Sequence, residues 1–247
     1  MTDHGTGDDI VGDVVVMIHG AGGGGWEYDC WRAVFERSGW KVIAPDLAPT
    51  AEGLAATTFA DYVQQIYRVV PREHHRLLLI GASLGGILAL KVAESLRPDA
   101  ILLMNSVAPA GVDASREIKT YPSIIRWANG PLKATYDALP DGDEPTILWA
   151  HSRWRDESGA VLNEVASGIS VEKPPCPTLV ILGEQDRDVP METGLAIARW
   201  TGADVHLYAA TSHVGPLLGR RARDIANLAL RWIETVTSLE MPTASSS

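Results

Sequence analysis

The stretch Leu77-Leu78-Leu79-Ile80-Gly81-Ala82-Ser83-Leu84-Gly85-Gly86 decides how the chain is read. Its aliphatic run suits a strand buried on both faces. The run Ile87 to Leu96 that leads out of it suits a helix. Between them, Gly81, Ser83 and Gly85 carry the Gly-x-Ser-x-Gly spacing of a nucleophile elbow, a strand-to-helix turn so tight that side chains beside the serine would clash. Glycine at 81 and 85 removes those clashes and permits unusual backbone angles. Ser83 would then stand clear of the sheet, with the next helix's N-terminus aimed at it. A plain strand-to-helix turn with a capping serine has the same composition, so the flanking chain must decide.

Working outward, Val14 to Ile18 is another buried-strand run and ends in His19-Gly20-Ala21-Gly22-Gly23-Gly24-Gly25. Trp26 to Arg37 reads as a helix with Trp31, Val34 and Phe35 at core-facing spacing. Trp40 to Ala44 is a strand, Phe59 to Val70 an amphipathic helix, and Ala100 to Met104 a fourth strand. Strand and helix alternate, which means a parallel sheet with helices on both faces. The alternation lapses from about Ala108 to Pro177. That stretch reads as a helical insertion, with pieces near Ser115 to Asn129, Lys133 to Ala138, Pro145 to Ser152 and Ala160 to Ala166. Thr178 to Leu182 resumes the sheet, Met191 to Trp200 is a helix, Val205 to Tyr208 the last strand and Arg220 to Val236 a closing helix. Residues 1 to 12 read as a frayed leader and Pro242 to Ser247 as a disordered tail. The whole chain, 1–247, is expected to form a single α/β domain.

Composition narrows the function. A net charge of −10 argues against a nucleic-acid or anionic-membrane surface. Two cysteines, Cys30 and Cys176, are too few for a disulfide framework and lie in no metal-binding spacing. The N-terminus has no secretory pattern and no apolar run reaches transmembrane length, so the expected location is cytoplasmic.

A serine hydroxyl needs a base and a group that orients the base. In an open parallel sheet such groups gather at the carboxyl ends of the strands. After Thr178 to Leu182 come Asp186 and Asp188, and after the last strand comes His213. The chain order of serine, acid and histidine is that expected of an elbow serine in such a sheet. The N–H of Leu84, next after the serine, would be one oxyanion donor, and the loop after the first strand would supply the other. That loop also fits Gly-x-Gly-x-x-Gly through Gly20, Gly22 and Gly25, with Asp46 a suitable distance on, so a dinucleotide site is a competing reading. It leaves Ser83, Asp186 and His213 unexplained.

With these pieces assembled, the chain resembles the α/β-hydrolases of the small, lid-bearing kind. VVVMIHGAGGGG, GASLGG, LVILGEQDRDVP and TSHVGP carry the resemblance from Val14 to the closing helix. It implies Asp186 as the acid with Asp188 as runner-up, Ala21 as the second oxyanion donor with Gly22 as the alternative, and His19 as a residue that orients the loop. It implies a sheet that begins at the strand matching the third of larger members. It also implies an insertion lying over the site as a lid from about 108 to 177, with Trp127, Trp149 and Trp154 as pocket residues or as anchors. The charges of Trp154-Arg155-Asp156-Glu157-Ser158 are expected to pair internally or face solvent. Serine at the elbow points to acyl chemistry. The expected activity is hydrolysis of a small-molecule carboxylic ester, lactone or thioester through an acyl-enzyme, without metal or organic cofactor. Same-fold cyclases, lyases, cofactor-free perhydrolases and non-catalytic binding members share these motifs. The sequence does not specify an oligomeric state.

Overall fold

The computed structural model describes residues 12–113 and 119–239. The leader and the tail expected from sequence lie outside that range, apart from residue 12. Six strands form one sheet: β1 (Val14–Ile18), β2 (Lys41–Ile43), β3 (Leu77–Ala82), β4 (Ala100–Met104), β7 (Thr178–Gly183) and β8 (Asp204–Tyr208), in the order β2-β1-β3-β4-β7-β8. Every pairing is parallel. The mostly parallel sheet expected from the alternation is therefore present. β1, β3, β4 and β7 are buried at every position, which explains their continuous apolar runs.

Successive residues point to opposite faces, so each strand feeds two cores. Val14, Val16, Ile18, Leu77, Leu79, Ile101 and Leu103 face one core. Helices α2 (Phe59–Val69), α3 (Leu84–Leu96) and α7 (Met191–Thr201) cover it. Val15, Met17, Leu78, Ile80, Leu102 and Met104 face the other, under α1 (Asp29–Arg37) and α9 (Ala222–Leu239). Each fully buried aliphatic side chain contributes about 1.5–3 kcal/mol. Two edges of detail differ from the sequence reading. The helix expected from Trp26 begins as a 3-10 turn over Gly25–Tyr28, and a short helix, α8 (Gly215–Leu218), precedes α9.

The chain leaves β1 for β2 on one side and returns to β3 on the other. That reversal opens a crevice at the carboxyl ends of β1 and β3. Ile18 is in register with Gly81, so the loop after β1 lies beside the elbow after β3.

Between β4 and β7 the chain forms α4 (Leu132–Ala138), α5 (Glu144–His151) and α6 (Gly159–Ser167), close to three of the expected helical pieces. The fourth piece, near Ser115 to Asn129, is corrected. Residues 114–118 lie outside the described chain, and the remainder is not helical but a loop with a two-residue strand and a turn at 128–129. Ile124–Ile125 forms β5, antiparallel to β6 (Glu157–Ser158), with Ile125 opposite Glu157. Pro122 removes a helical donor, and its carbonyl lies 1.6 Å from where a Gly159 Cβ would sit, so the two segments meet backbone to backbone. No helix among the described residues is long and apolar enough to cross a membrane.

Candidate active site

Ser83 has φ 52° and ψ −118°, a strained conformation for any residue with a side chain. Such backbone costs on the order of 1–3 kcal/mol and must be held by its surroundings. Its N–H donates to Met104 O at 2.9 Å, and its carbonyl accepts from Gly86 N at 3.0 Å. A Cβ on Gly85 would lie 2.0 Å from Ile18 O, and one on Gly81 2.2 Å from Gly85 O. The two glycines thus let the turn close against the end of β1. Ser83 Cβ in turn lies 3.2 Å from the position a Gly20 Cβ would occupy, so the serine side chain faces the loop after β1.

The Nδ1–H of His213 donates to Asp186 Oδ2 at 2.8 Å. The His213 side chain is 12% exposed and that of Asp186 2%. Asp186 Oδ1 accepts from the backbone N–H groups of Asp188 and Val189, which fixes the carboxylate. Asp188 is exposed and contributes only its charge. Of the two candidate acids, the histidine therefore bonds to Asp186. Burial pulls the His213 pKa down, but the Asp186 bond and charge, with the charges of Asp188 and Glu27, outweigh it and the net shift is upward. With Nδ1 protonated toward Asp186, Nε2 is the nitrogen left to accept a proton. Asp186, Asp188 and His213 also offer donor atoms within 4.8 Å of one another, the spacing of a cation site. His213 and Asp186 are already joined to each other by the Nδ1–Oδ2 bond.

Asn105 ties this pair to the elbow. It follows β4 directly, next to the Met104 carbonyl that holds Ser83. Its Nδ2 donates to His213 O at 2.7 Å and to Ser212 O at 3.2 Å, while its Oδ1 accepts from Gly183 N at 2.8 Å. Asp141 braces the same loop from the insertion, accepting from Ser212 Oγ at 2.5 Å. Neither residue carries a motif that marks it in the sequence. Asn105 stands where a strand ends, and its φ of 44° is one that asparagine tolerates well, but nothing local announces its partners.

In the loop after β1, the N–H groups of Gly22, Gly23, Gly24 and Gly25 donate to Glu157 Oε2, Gly20 O, Glu27 Oε2 and Asp46 Oδ1. Ala21 N–H has no partner among the described residues. Leu84 opens α3, where the first-turn N–H groups lack intrahelical acceptors. These occupancies favour Ala21 over Gly22 as the donor beside Leu84. They also remove the dinucleotide reading: the amides a pyrophosphate would need are taken, and Asp46 closes the loop itself. His19 Nε2 accepts from Leu47 N at 2.9 Å, which leaves the proton on Nδ1, facing Gly20 O at 2.7 Å. Burial, offset in part by the Gly20 bond, lowers its pKa to about 4. His19 is thus a neutral brace of the loop.

The insertion meets this loop directly. Arg155 N donates to Gly22 O at 2.8 Å, its Nε to Gly23 O at 2.6 Å, and its Nη2 lies 3.1 Å from His19 Nε2. Glu157, 3% exposed, accepts from Gly22 N and from Tyr62 OH at 2.7 Å. The expectation that these charges pair within the run or face solvent is corrected: Arg155 and Glu157 bind the loop after β1, and Asp156 bonds Arg126 and the Ala128 N–H, both outside the run. Trp127 stands over Gly22, where its ring would lie 2.4 Å from an added Cβ. Trp149 and Trp154 instead pack edge-on against Trp26, at 5.0 and 5.1 Å between centroids, and Trp154 Nε1 donates to Thr135 Oγ1. Those two brace the insertion. A groove of about 630 Å³ runs along this side, lined in part by Trp26, Glu27, Trp149, Leu217 and Leu218; Ser83 and His213 do not line it.

An elbow serine on a parallel sheet, with an acid and a histidine after the last two strands, defines the α/β-hydrolase class of fold and site. The chain belongs to the alpha/beta hydrolase family, whose model matches residues 15–228. No curated protein is a significant match to the sequence. Among solved structures the chain is similar to a metagenome-derived lipolytic enzyme, with 20% identity, TM-score 0.67, and 90% of this chain and 93% of that one covered. It is also similar to a pyrethroid hydrolase from Sphingobium faniae JZ-2, with 18% identity, TM-score 0.70 and coverage of 92% and 99%. Tomato methylketone synthase I is a third, with 16% identity, TM-score 0.70 and coverage of 92% and 99%. At these identities the likeness is one of fold.

Proposed function

We propose that the protein is a serine hydrolase that cleaves a small-molecule carboxylic ester, lactone or thioester. Ser83 Oγ attacks the carbonyl carbon, and His213 Nε2 takes the hydroxyl proton. Asp186 holds the imidazole in the tautomer that leaves Nε2 free and stabilises the imidazolium that forms. The Leu84 and Ala21 N–H groups receive the oxyanion; one such donor typically supplies about 2.7–4 kcal/mol of transition-state stabilisation. His213 returns the proton to the leaving group, and water activated by the same base then releases the acyl group.

The observation that carries this reading is the 2.8 Å bond from His213 Nδ1 to the buried Asp186 carboxylate, on the sheet edge where Ser83 is held in its strained turn. An ordinary turn with a capping serine needs neither, and the Ser83 side chain makes no cap bond. The test is hydrolysis of a panel of aryl esters and thioesters by the wild type and by Ser83→Ala. The reading expects turnover that the substitution abolishes while the circular dichroism spectrum is unchanged. Equal hydrolysis by both proteins would sink it.

A further inference from the structure

The loop that offers Ala21 N–H is only partly held by its own bonds. The Gly23 N–H closes a turn on Gly20 O at 3.3 Å, with Gly22 at φ +68°, reachable at low cost by glycine. The rest of the grip on its peptides comes from the insertion. The Gly22 N–H is bound by Glu157, the Gly22 carbonyl by the Arg155 N–H, and the Gly23 carbonyl by the Arg155 guanidinium. Both insertion residues are themselves held. Glu157 Oε1 accepts from Tyr62 OH of α2 and from Ser158 N at 2.7 Å each. Arg155 reaches His19, which is fixed by Leu47 N.

We propose that Glu157 and Arg155 are positioning residues of the oxyanion hole: they grip the Gly22 and Gly23 peptides so that the preceding N–H, on Ala21, is left open toward Ser83. The inference rests on the serine-hydrolase reading above and adds that the insertion completes the catalytic apparatus. Glu157 is the more decisive of the two. It engages the Gly22 N–H, the one neighbouring donor that could otherwise turn inward, and it links the loop to α2 in the sheet's main core. Arg155 adds two further bonds to the loop, at the Gly22 and Gly23 carbonyls. A lid that swings away as a rigid piece would break these bonds and dismantle the hole. In this arrangement residues 155–157 stay docked during turnover, and substrate enters elsewhere along the insertion.

The test uses Glu157→Gln in the full chain. A glutamine keeps the volume, but its two ends cannot both accept, so either Gly22 N–H or Ser158 N–H loses its acceptor. A misplacement of about 1 Å in such a site costs on the order of 10²-fold. The expected result is a kcat lower by about 30- to 100-fold with KM within about twofold, the pattern of a lost transition-state interaction. A trifluoromethyl ketone, whose hemiketal oxygen occupies the hole, should weaken by the same factor, while a neutral product alcohol keeps its affinity. The acid limb of the pH profile, set by His213, should not move. Should Glu157→Gln fail to fold, Tyr62→Phe frees the same carboxylate and should lower kcat by about 3- to 10-fold with the same ketone signature. Unchanged kcat and ketone affinity in a folded variant would overturn the inference, as would equal losses for ketone and alcohol. If Ser83→Ala retained activity, the hydrolase reading itself would fail, an outcome separate from either of these.

Discussion

Glu27 offers a sharp physical test because it is a buried carboxyl. It is 3% exposed on the turn after the glycine loop and accepts a hydrogen bond from Gly24 N at 3.2 Å. Burial raises its pKa from 4.5 to about 8, against the smaller opposing pulls of the Gly24 bond and the charges of His213 and Arg155. At about 1.36 kcal/mol per unit, that shift is worth roughly 5 kcal/mol. The sign follows from which state holds the proton. Below the unfolded value both states are protonated and Glu27 costs nothing. From there to about pH 8 the folded state keeps a proton that the unfolded state has lost, so stability falls by about 1.4 kcal/mol per pH unit. Above that, the loss levels off. Glu27→Gln keeps an acceptor for Gly24 and has nothing to ionise. Urea unfolding of both proteins from pH 5 to pH 9 should show the variant gaining on the wild type across this window, by several kcal/mol in all. Subtraction cancels the groups the two proteins share, save for His213, whose upward shift includes the Glu27 charge. A difference that stays constant with pH would refute the argument and mean that Glu27 is solvated or ionised in the fold.

Other outcomes follow from the same geometry. Gly85→Ala places a Cβ 2.0 Å from Ile18 O, where only backbone can yield, and should cost about 3 kcal/mol or more by chemical denaturation. Asp186→Asn should lower kcat by on the order of 10⁴ with the fold intact, whereas Asp188→Asn, which removes only an exposed charge, should change it by less than about tenfold. Because the His213 pKa is raised and catalysis requires the neutral imidazole, the acid limb of kcat/KM should lie above the ordinary histidine value of 6.5. Asp141→Ala leaves Ser212 Oγ without its partner and should lower stability by about 1–3 kcal/mol, with a drop in kcat from the loosened histidine loop.

The parts legible from sequence were those with local causes. β1, β3, β4 and β7 could be read because strands buried on both faces demand continuous apolar runs. The elbow could be read because its glycines sit two residues either side of Ser83, a local spacing, although the contact that Gly85 answers to, Ile18 O, comes from β1. His213 and Asp186 followed from where a parallel sheet must put its loops. The extended segment around Ile124 was not legible, since its partner Ser158 lies far along the chain and spacing alone resembles a helix. Glu27, Asp141 and Glu157 were not legible as structural carboxylates either. An acid in a polar stretch reads as solvated: Asp141 and Glu157 become acceptors through Ser212 and Gly22 donors that only the tertiary fold supplies, and Glu27, whose Gly24 donor is local, is buried only by that fold. The same limit applied to choosing Ala21 over Gly22: the sequence placed both in the loop, and the choice came from which amides were already bonded.

Ser83 is where the account stands or falls. A fluorophosphonate probe reacts with a serine only when a base removes its proton and donors receive the phosphoryl oxygen. Incubation with the probe followed by peptide mass spectrometry should find the adduct on Ser83, with labelling lost in His213→Ala and in Ser83→Ala. A folded wild-type protein that leaves Ser83 unmodified, or one that labels equally well without His213, would contradict the assignment of this site as a serine nucleophile.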